Sequence, residues 1–196
     1  MSTVGFLSAQ APDAEAQRIF DDDVAELGYV MNVSRLWAYQ PATLSHLFDL
    51  MGETYASEHL SFRQRGILVT ACASTLGDAY CSLAWGTKLA GKSDAETAAG
   101  ILRGTDDRLS AAEQAMARWA REVARDPNHT NAEDVQALRD AGYSDAQIFA
   151  MTAYVALRLA FSTINDALGV RPDSAFRTSA PEAVLEAVSY GRPIDD

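Results

Sequence analysis

Residues 66–89 read GILVTACASTLGDAYCSLAWGTKL, a run that is nearly all apolar. A helix that is hydrophobic all round is buried on every face. The run is therefore predicted as the central part of one long helix over residues 61–90. Asp78 interrupts it, and a carboxylate at the middle of a bilayer is costly, so a buried helix is predicted rather than a membrane span.

A second segment, residues 144–168, is also apolar almost all round. Two such helices indicate either a central antiparallel pair or burial by neighbouring subunits. Capping boxes, in which Ser or Thr precedes Glu or Gln at the spacing of a first helical turn, mark helix starts at residues 61, 93, 110, 130 and 144. No segment alternates as a strand does, so no sheet is predicted.

The predicted fold class is therefore all-α, an oligomeric helical bundle with a buried central antiparallel helix pair. The predicted helices lie near residues 13–27, 32–39, 41–57, 61–90, 93–103, 110–125, 130–141, 144–168 and 181–189. Residues 171–181 are predicted as an extended loop.

The charge balance narrows the range of partners. Sixteen basic residues face 27 acidic ones, which gives a formal charge of -11. Binding to nucleic acid or to an anionic membrane needs clustered Lys and Arg, so neither partner is predicted. The start of the chain lacks a basic stretch followed by an apolar run, so no secretory signal is expected.

The two cysteines, Cys72 and Cys81, are expected to stay reduced. On one helix they would lie about 13 Å apart along the axis, on opposite sides. A disulfide needs Cα atoms within about 7 Å, so pairing within that helix is excluded. This use of cysteine fits a reducing cytoplasm, which is the predicted location.

Four side chains share one face of the helical projection, namely Asp78, Cys81, Ser82 and Trp85. A carboxyl, a thiol and a hydroxyl beside an indole could line a small pocket. A plainer interpretation also fits Cys81, because a free cysteine is commonly buried as a small hydrophobe.

Asp78 is harder to explain as part of an apolar core, because a buried carboxylate needs a cation or hydrogen-bond donors. Arg158, itself within an apolar helix, is the first candidate partner, and Arg63 and Arg65 are others. A pair between Asp78 and Arg158 would join the two buried helices. Arg158 could instead bind a substrate carboxylate.

Metal and cofactor motifs are not recognised in the sequence. The three histidines, His46, His59 and His129, are scattered and lack a second ligand at helical spacing. No glycine-rich phosphate loop and no nucleophile elbow is present. The sequence therefore predicts neither a metal nor a cofactor.

The stretch LSFRQRGILVTACASTLGDAYCSLAWGTKLAG, residues 60–91, resembles the core of the AhpD-like alkylhydroperoxidase and carboxymuconolactone decarboxylase family. The flanking residues 20–44, 109–150 and 164–173 resemble its longer, peroxidase-related members. The resemblance implies one domain with an N-terminal helical extension (1–40), a core (41–125), a C-terminal helical pair (126–170) and a tail (171–196). It also implies a homo-oligomer: a dimer, trimer or hexamer.

Most of the family's reactive positions hold other residues here. The family Glu falls on Gly66, the first Cys on Asp78 and the His on Trp85, and only the peroxide-reactive Cys is kept, as Cys81. In the family, the Glu and His are thought to deprotonate the thiol and the two Cys close a disulfide. Asp78 should instead raise the pKa of Cys81 by repulsion between like charges. Two-cysteine peroxidase chemistry is therefore not expected.

Three interpretations of the function stay open. In the first, a diverged, cofactor-free enzyme handles a small organic substrate with Asp78, Cys81, Ser82 and Arg158, by decarboxylation, lactone chemistry or a peroxidase step. In the second, the protein is a non-catalytic binder or a structural homologue, with Trp85 and Tyr80 filling the old site. In the third, it is a one-cysteine hydroperoxidase that uses an external thiol.

Overall fold

The structure is a computed structural model that describes residues 3–196. Within these residues a two-stranded antiparallel hairpin precedes eleven α-helices, so the all-α prediction is confirmed and the hairpin is the part it missed. The elements are β1 Thr3–Val4, β2 Leu7–Ser8, α1 Ala14–Leu27, α2 Asn32–Trp37, α3 Pro41–Ser57, α4 Phe62–Leu76, α5 Ala79–Ala90, α6 Ala95–Arg103, α7 Ala111–Arg125, α8 Ala132–Asp140, α9 Asp145–Ala167, α10 Phe176–Ser179 and α11 Glu182–Ala187. A 3-10 turn spans Pro127–His129, and α10 lies in the stretch predicted as a loop.

The long central helix predicted over residues 61–90 is wrong, because the chain breaks between α4 and α5. Gly77 ends α4 in the left-handed conformation, with φ of 74°. Asp78 then caps α5, and its side chain accepts the backbone N–H of Cys81. Gly after a helix and Asp before one are ordinary stop and start signals. Here they override an apolar pattern that runs through both helices.

The break folds α4 and α5 into an antiparallel hairpin. Gly66, near the start of α4, lies against Leu89, near the end of α5, and a Cβ on Gly66 would be 3.0 Å from Leu89 Cδ1. Cys72 and Cys81 therefore lie on neighbouring helices and not on one helix, so the spacing predicted for them was wrong. Both thiols are free and buried.

Helix α4 lies at the centre of the core, where it packs against α5, α6, α7 and α9. Helix α9 also packs against α3 and α7. By length and composition α9 could cross a membrane. Its inner face is instead part of the core and carries the buried Arg158.

Three of the five predicted capping boxes are confirmed, at Ser61, Ser110 and Ser144. The other two helices begin one residue later, at caps formed by Asp94 and Asn131. Asp and Asn compete well with Ser and Thr as caps, since their side chains also accept from the first-turn amides.

Candidate functional site

The candidate site is built on the first turn of α5. Cys81 is the third residue of the helix, and its side chain is buried, as is that of Asp78. The free amides of this turn give it a partial positive charge, which favours a thiolate. The Asp78 carboxylate lies beside the thiol and acts against that field.

Arg158 reaches Cys81 from α9. Its Nη2 donates to Cys81 Sγ at 3.3 Å, and its Nη1 lies 3.9 Å from Met51 Sδ. The guanidinium carbon lies 5.5 Å from the Trp85 ring centre and 5.1 Å from that of Phe161. Arg158 is only 4% exposed, and its Nε has no hydrogen-bond partner among residues 3–196.

The predicted ion pair between Asp78 and Arg158 is not formed, since no carboxylate of the described chain lies within salt-bridge distance of Arg158. The alternatives Arg63 and Arg65 do not pair with Asp78 either, and Arg63 bonds Glu113 instead. Neutral donors satisfy Asp78: the amide of Cys81 at 2.8 Å and the hydroxyl of Ser162 at 2.5 Å.

Ser162 is the site residue that the sequence analysis missed. Its Oγ donates to Asp78 and lies 3.7 Å from Cys81 Sγ. Ser162 follows Arg158 by one helical turn, so both side chains project from the same face of α9. That spacing is the signal that could have identified it once Arg158 was singled out.

The pKa of Cys81 is raised far above its ordinary value, first by burial and then by the Asp78 carboxylate. Arg158 and the hydrogen bond from Ser162 act in the opposite direction but do not prevail. Cys81 is therefore a neutral thiol at neutral pH in the free protein. Its thiolate is therefore a minor species at neutral pH.

A cavity of about 350 Å³ opens onto this thiol. Cys81 and Arg158 lie at its floor, and Tyr80 and Trp85 line it without filling it. The remaining walls are mostly apolar and come from five helices and a loop: Ile19, Asp23, Met31, Val33, Ser34, Leu44, Ser45, Phe48, Ala84, Lys88 and Phe161.

Two predicted site residues, Asp78 and Ser82, do not line this cavity. Asp78 does not line it, so it can act on a bound molecule only through Cys81. Ser82 is buried and accepts the hydroxyl of Tyr190 at 3.1 Å. Tyr190 precedes Gly191, where a Cβ would be 2.3 Å from the carbonyl oxygen of Gly77. Residues 190–191 thus pack against the turn between α4 and α5 that carries Asp78.

The positions of the family's Glu and His offer no base here. A side chain at Gly66 would press against Leu89. Trp85 stacks on Phe62, with ring centres 5.7 Å apart. Asp78 is therefore the carboxylate next to the thiol. Within residues 3–196 no group of three His, Cys, Asp or Glu side chains is arranged to hold a metal ion.

No family model matches the sequence, and no curated protein is significantly similar to it. The fold that carries the site is nevertheless known from solved structures. A peroxidase-related protein from Silicibacter sp. TM1040 has a TM-score of 0.78 at 19% identity, over 91% of this chain and 96% of that one. An AhpD-core, peroxidase-related protein from Ralstonia eutropha JMP134 gives 0.75 at 23% identity, over 90% and 96%. The debrominase Bmp8, as a Cys-to-Ala variant in complex with 2,3,4-tribromopyrrole, gives 0.72 at 17% identity, over 96% and 98%. These similarities show that the chain has the AhpD-like fold of the peroxidase-related proteins.

Proposed function

We propose that the protein is a cofactor-free, one-cysteine oxidoreductase that reduces a small organic hydroperoxide with electrons from an external thiol. One observation carries the proposal: Cys81 Sγ lies at the floor of an apolar cavity and accepts a hydrogen bond from a buried guanidinium that has no carboxylate partner in the described chain. A buried cation beside a nucleophile is suited to stabilise developing negative charge.

The first step uses three side chains. Asp78 takes the proton of Cys81, and the sulfur attacks the terminal oxygen of ROOH. The O–O bond breaks, and the proton of the transferred hydroxyl passes to the leaving alkoxide to give ROH. Asp78 then returns its proton to the Cys81 sulfenate, which becomes a sulfenic acid. Arg158 stabilises the oxygens that carry negative charge during the transfer, because its Nη2 already lies beside the sulfur.

The second step restores the thiol from outside. One external thiol condenses with the sulfenic acid, releasing water and forming a mixed disulfide, and a second external thiol displaces Cys81 as the thiol. Cys72 does not line the cavity. The external thiol reaches the sulfenic acid through the same opening that admits the hydroperoxide.

A raised pKa at Cys81 makes this reaction slow at neutral pH. The rate should rise with pH, because the thiolate fraction grows about tenfold for each pH unit below the pKa. Activity on a small organic substrate is thus retained but altered, without the two-cysteine cycle of the family.

The test is consumption of cumene hydroperoxide with dithiothreitol as the external thiol. The wild-type protein should turn over both, and Cys81→Ala should not. Cys72→Ala is the matched control, because it removes the other buried thiol and should keep the activity. Absence of turnover in wild type, or turnover that survives in Cys81→Ala, would overturn the proposal.

Thiol-dependent removal of halogen from a small aromatic compound is the second candidate. Three aromatic side chains line the cavity from three different helices, namely Phe48, Trp85 and Phe161. Bmp8 carries out a debromination on the same fold. Release of bromide from a brominated pyrrole, in place of hydroperoxide turnover, would favour this candidate.

A further inference from the structure

The cavity extends along one face of α5, and it is called the channel below. Cys81, Trp85 and Lys88 follow one another at helical spacing, and all three line the cavity. Their exposure increases along the helix: Cys81 is buried, Trp85 is half-buried and Lys88 is exposed. At 1.5 Å per residue, the rise from Cys81 to Lys88 is about 10.5 Å. The floor of the cavity is thus the thiol, and its mouth is the lysine.

The length between these ends is apolar. Ala84 and Trp85 form the α5 side, and Leu44, Phe48 and Phe161 face the same space from α3 and α9. Such a lining favours a hydrocarbon or aromatic body over a polar one. A ligand that fills the channel would therefore be apolar for most of its length.

Both ends of the channel carry a positive charge. Neither Arg158 at the floor nor Lys88 at the mouth forms a salt bridge with residues 3–196. Lys88 Nζ lies 5.9 Å from the ring centre of Trp85, so the ammonium group leans over the channel wall. The carboxylate that shares the lining, Asp23, accepts the amide of Met31 at 3.0 Å.

This charge is unusual for the molecule. The chain carries a net charge of -11 and has only two lysines, Lys88 and Lys92. An acidic surface repels anions, yet this channel presents two unpaired cations to whatever enters it. With the Asp23 carboxylate counted against Lys88 and Arg158, the lining keeps one net positive charge, which favours an anionic ligand.

We infer that the channel binds an anionic amphiphile, a small carboxylic acid about as long as the channel. Its carboxylate pairs with Lys88 at the mouth, and its apolar body lies along Trp85. Its far end meets Cys81 and Arg158. The inference rests on the proposed function only for the chemistry of that far end, which would carry the hydroperoxide. Lys88 is then a specificity-determining residue.

Calorimetric titration with octanoate, an unreactive probe, tests the inference on the wild-type protein. Octanoate should bind saturably at low salt, and octanamide should bind more weakly. Lys88→Met should weaken octanoate binding about threefold to fivefold, as expected for one exposed ion pair, and high salt should remove the difference. Lys92→Met is the matched control and should bind octanoate as wild type does.

Several results would overturn the inference: no saturable octanoate binding, equal binding of octanamide, unchanged binding by Lys88→Met, or equal weakening by Lys92→Met. Turnover of cumene hydroperoxide, measured in parallel, separates this inference from the proposed function. Binding that depends on Lys88 without any turnover would uphold the channel and overturn the peroxidase. Turnover that octanoate does not inhibit would uphold the peroxidase and overturn the channel.

Discussion

Cys72 and Cys81 lie on neighbouring antiparallel helices, and the two regions around them differ in kind. Cys72 is in the middle of α4, where burial raises its pKa to about 12. Cys81 is in the first turn of α5, where Arg158 and Ser162 approach its sulfur and Asp78 lies beside it. Burial makes both thiols neutral. Only the helix start combines a cavity, a cation and a proton acceptor around the sulfur.

The largest expected effect comes from removing each thiol in turn. Cys81→Ala should lower hydroperoxide turnover at least about a hundredfold, because the nucleophile is lost. Cys72→Ala should leave turnover nearly unchanged and act on stability alone. Steady-state rates and urea denaturation of both variants provide the measurement. Equal losses of activity would erase the distinction between the two regions.

Arg158→Met should lower turnover about a hundredfold, as loss of one positioned donor to a developing oxyanion does. The pKa of Cys81 should rise, because Arg158 lowers it in the native protein. The free energy of unfolding should change little or increase, since the substitution removes a buried cation without orphaning a carboxylate. Turnover, thiol alkylation across pH and urea denaturation report the three effects. A strong loss of stability would instead assign Arg158 a structural role.

Asp78→Asn should separate two roles of the carboxylate. Asn also caps helices, so α5 should keep its start. Without the negative charge the pKa of Cys81 should fall, and alkylation at neutral pH should accelerate about tenfold for each unit of that fall. Hydroperoxide turnover should fall, because loss of the proton acceptor outweighs the gain in thiolate fraction. Alkylation that is no faster than in wild type, together with unchanged turnover, would contradict both roles. Adding Cys72→Ala to the Asp78→Asn variant shows that the alkylated thiol is Cys81.

The smallest expected effect is a pH dependence of stability that arises at Asp166 on α9, in the region around Cys81. Burial, and then the charge of Asp78, raise the pKa of Asp166 from 3.8 to about 7. Between these values the native protein binds a proton that the unfolded chain does not, so stability is lost as the pH rises through about 7. Because Asp166 is half exposed, the loss should be about 1 kcal/mol.

Asp166→Asn should flatten this part of the stability profile, which urea denaturation between pH 4 and pH 8 would measure. Asp78→Asn should shift the same transition to lower pH. A profile that keeps its slope in Asp166→Asn would show that another group carries the proton.

Local rules in the sequence were enough for much of the fold. The caps at Ser61, Ser110 and Ser144 began helices where the pattern predicted them, since a cap depends on residues within one turn. The break at Gly77 and Asp78 was equally local. The apolar pattern nevertheless continues through it, and that pattern alone predicts one unbroken helix.

The site required information that local rules do not hold. Cys81 and Asp78 could be chosen from one helical face, but the partner of each depended on how α9 docks. The sequence paired Arg158 with Asp78, whereas the structure places the guanidinium on the sulfur and gives Asp78 the hydroxyl of Ser162. The cavity is likewise a product of packing among α3, α5, α9 and the N-terminal helices.

The contact between Arg158 and Cys81 joins residues separated by 77 positions. Closing so long a loop costs more chain entropy than forming the α4–α5 hairpin, so we expect the thiol and its cation to meet only when α9 docks. Until α9 docks, Cys81 would sit exposed at a helix start, where thiolates form readily and oxidants attack them. Such an order of assembly would make the newly folding chain more vulnerable to oxidation than the finished molecule.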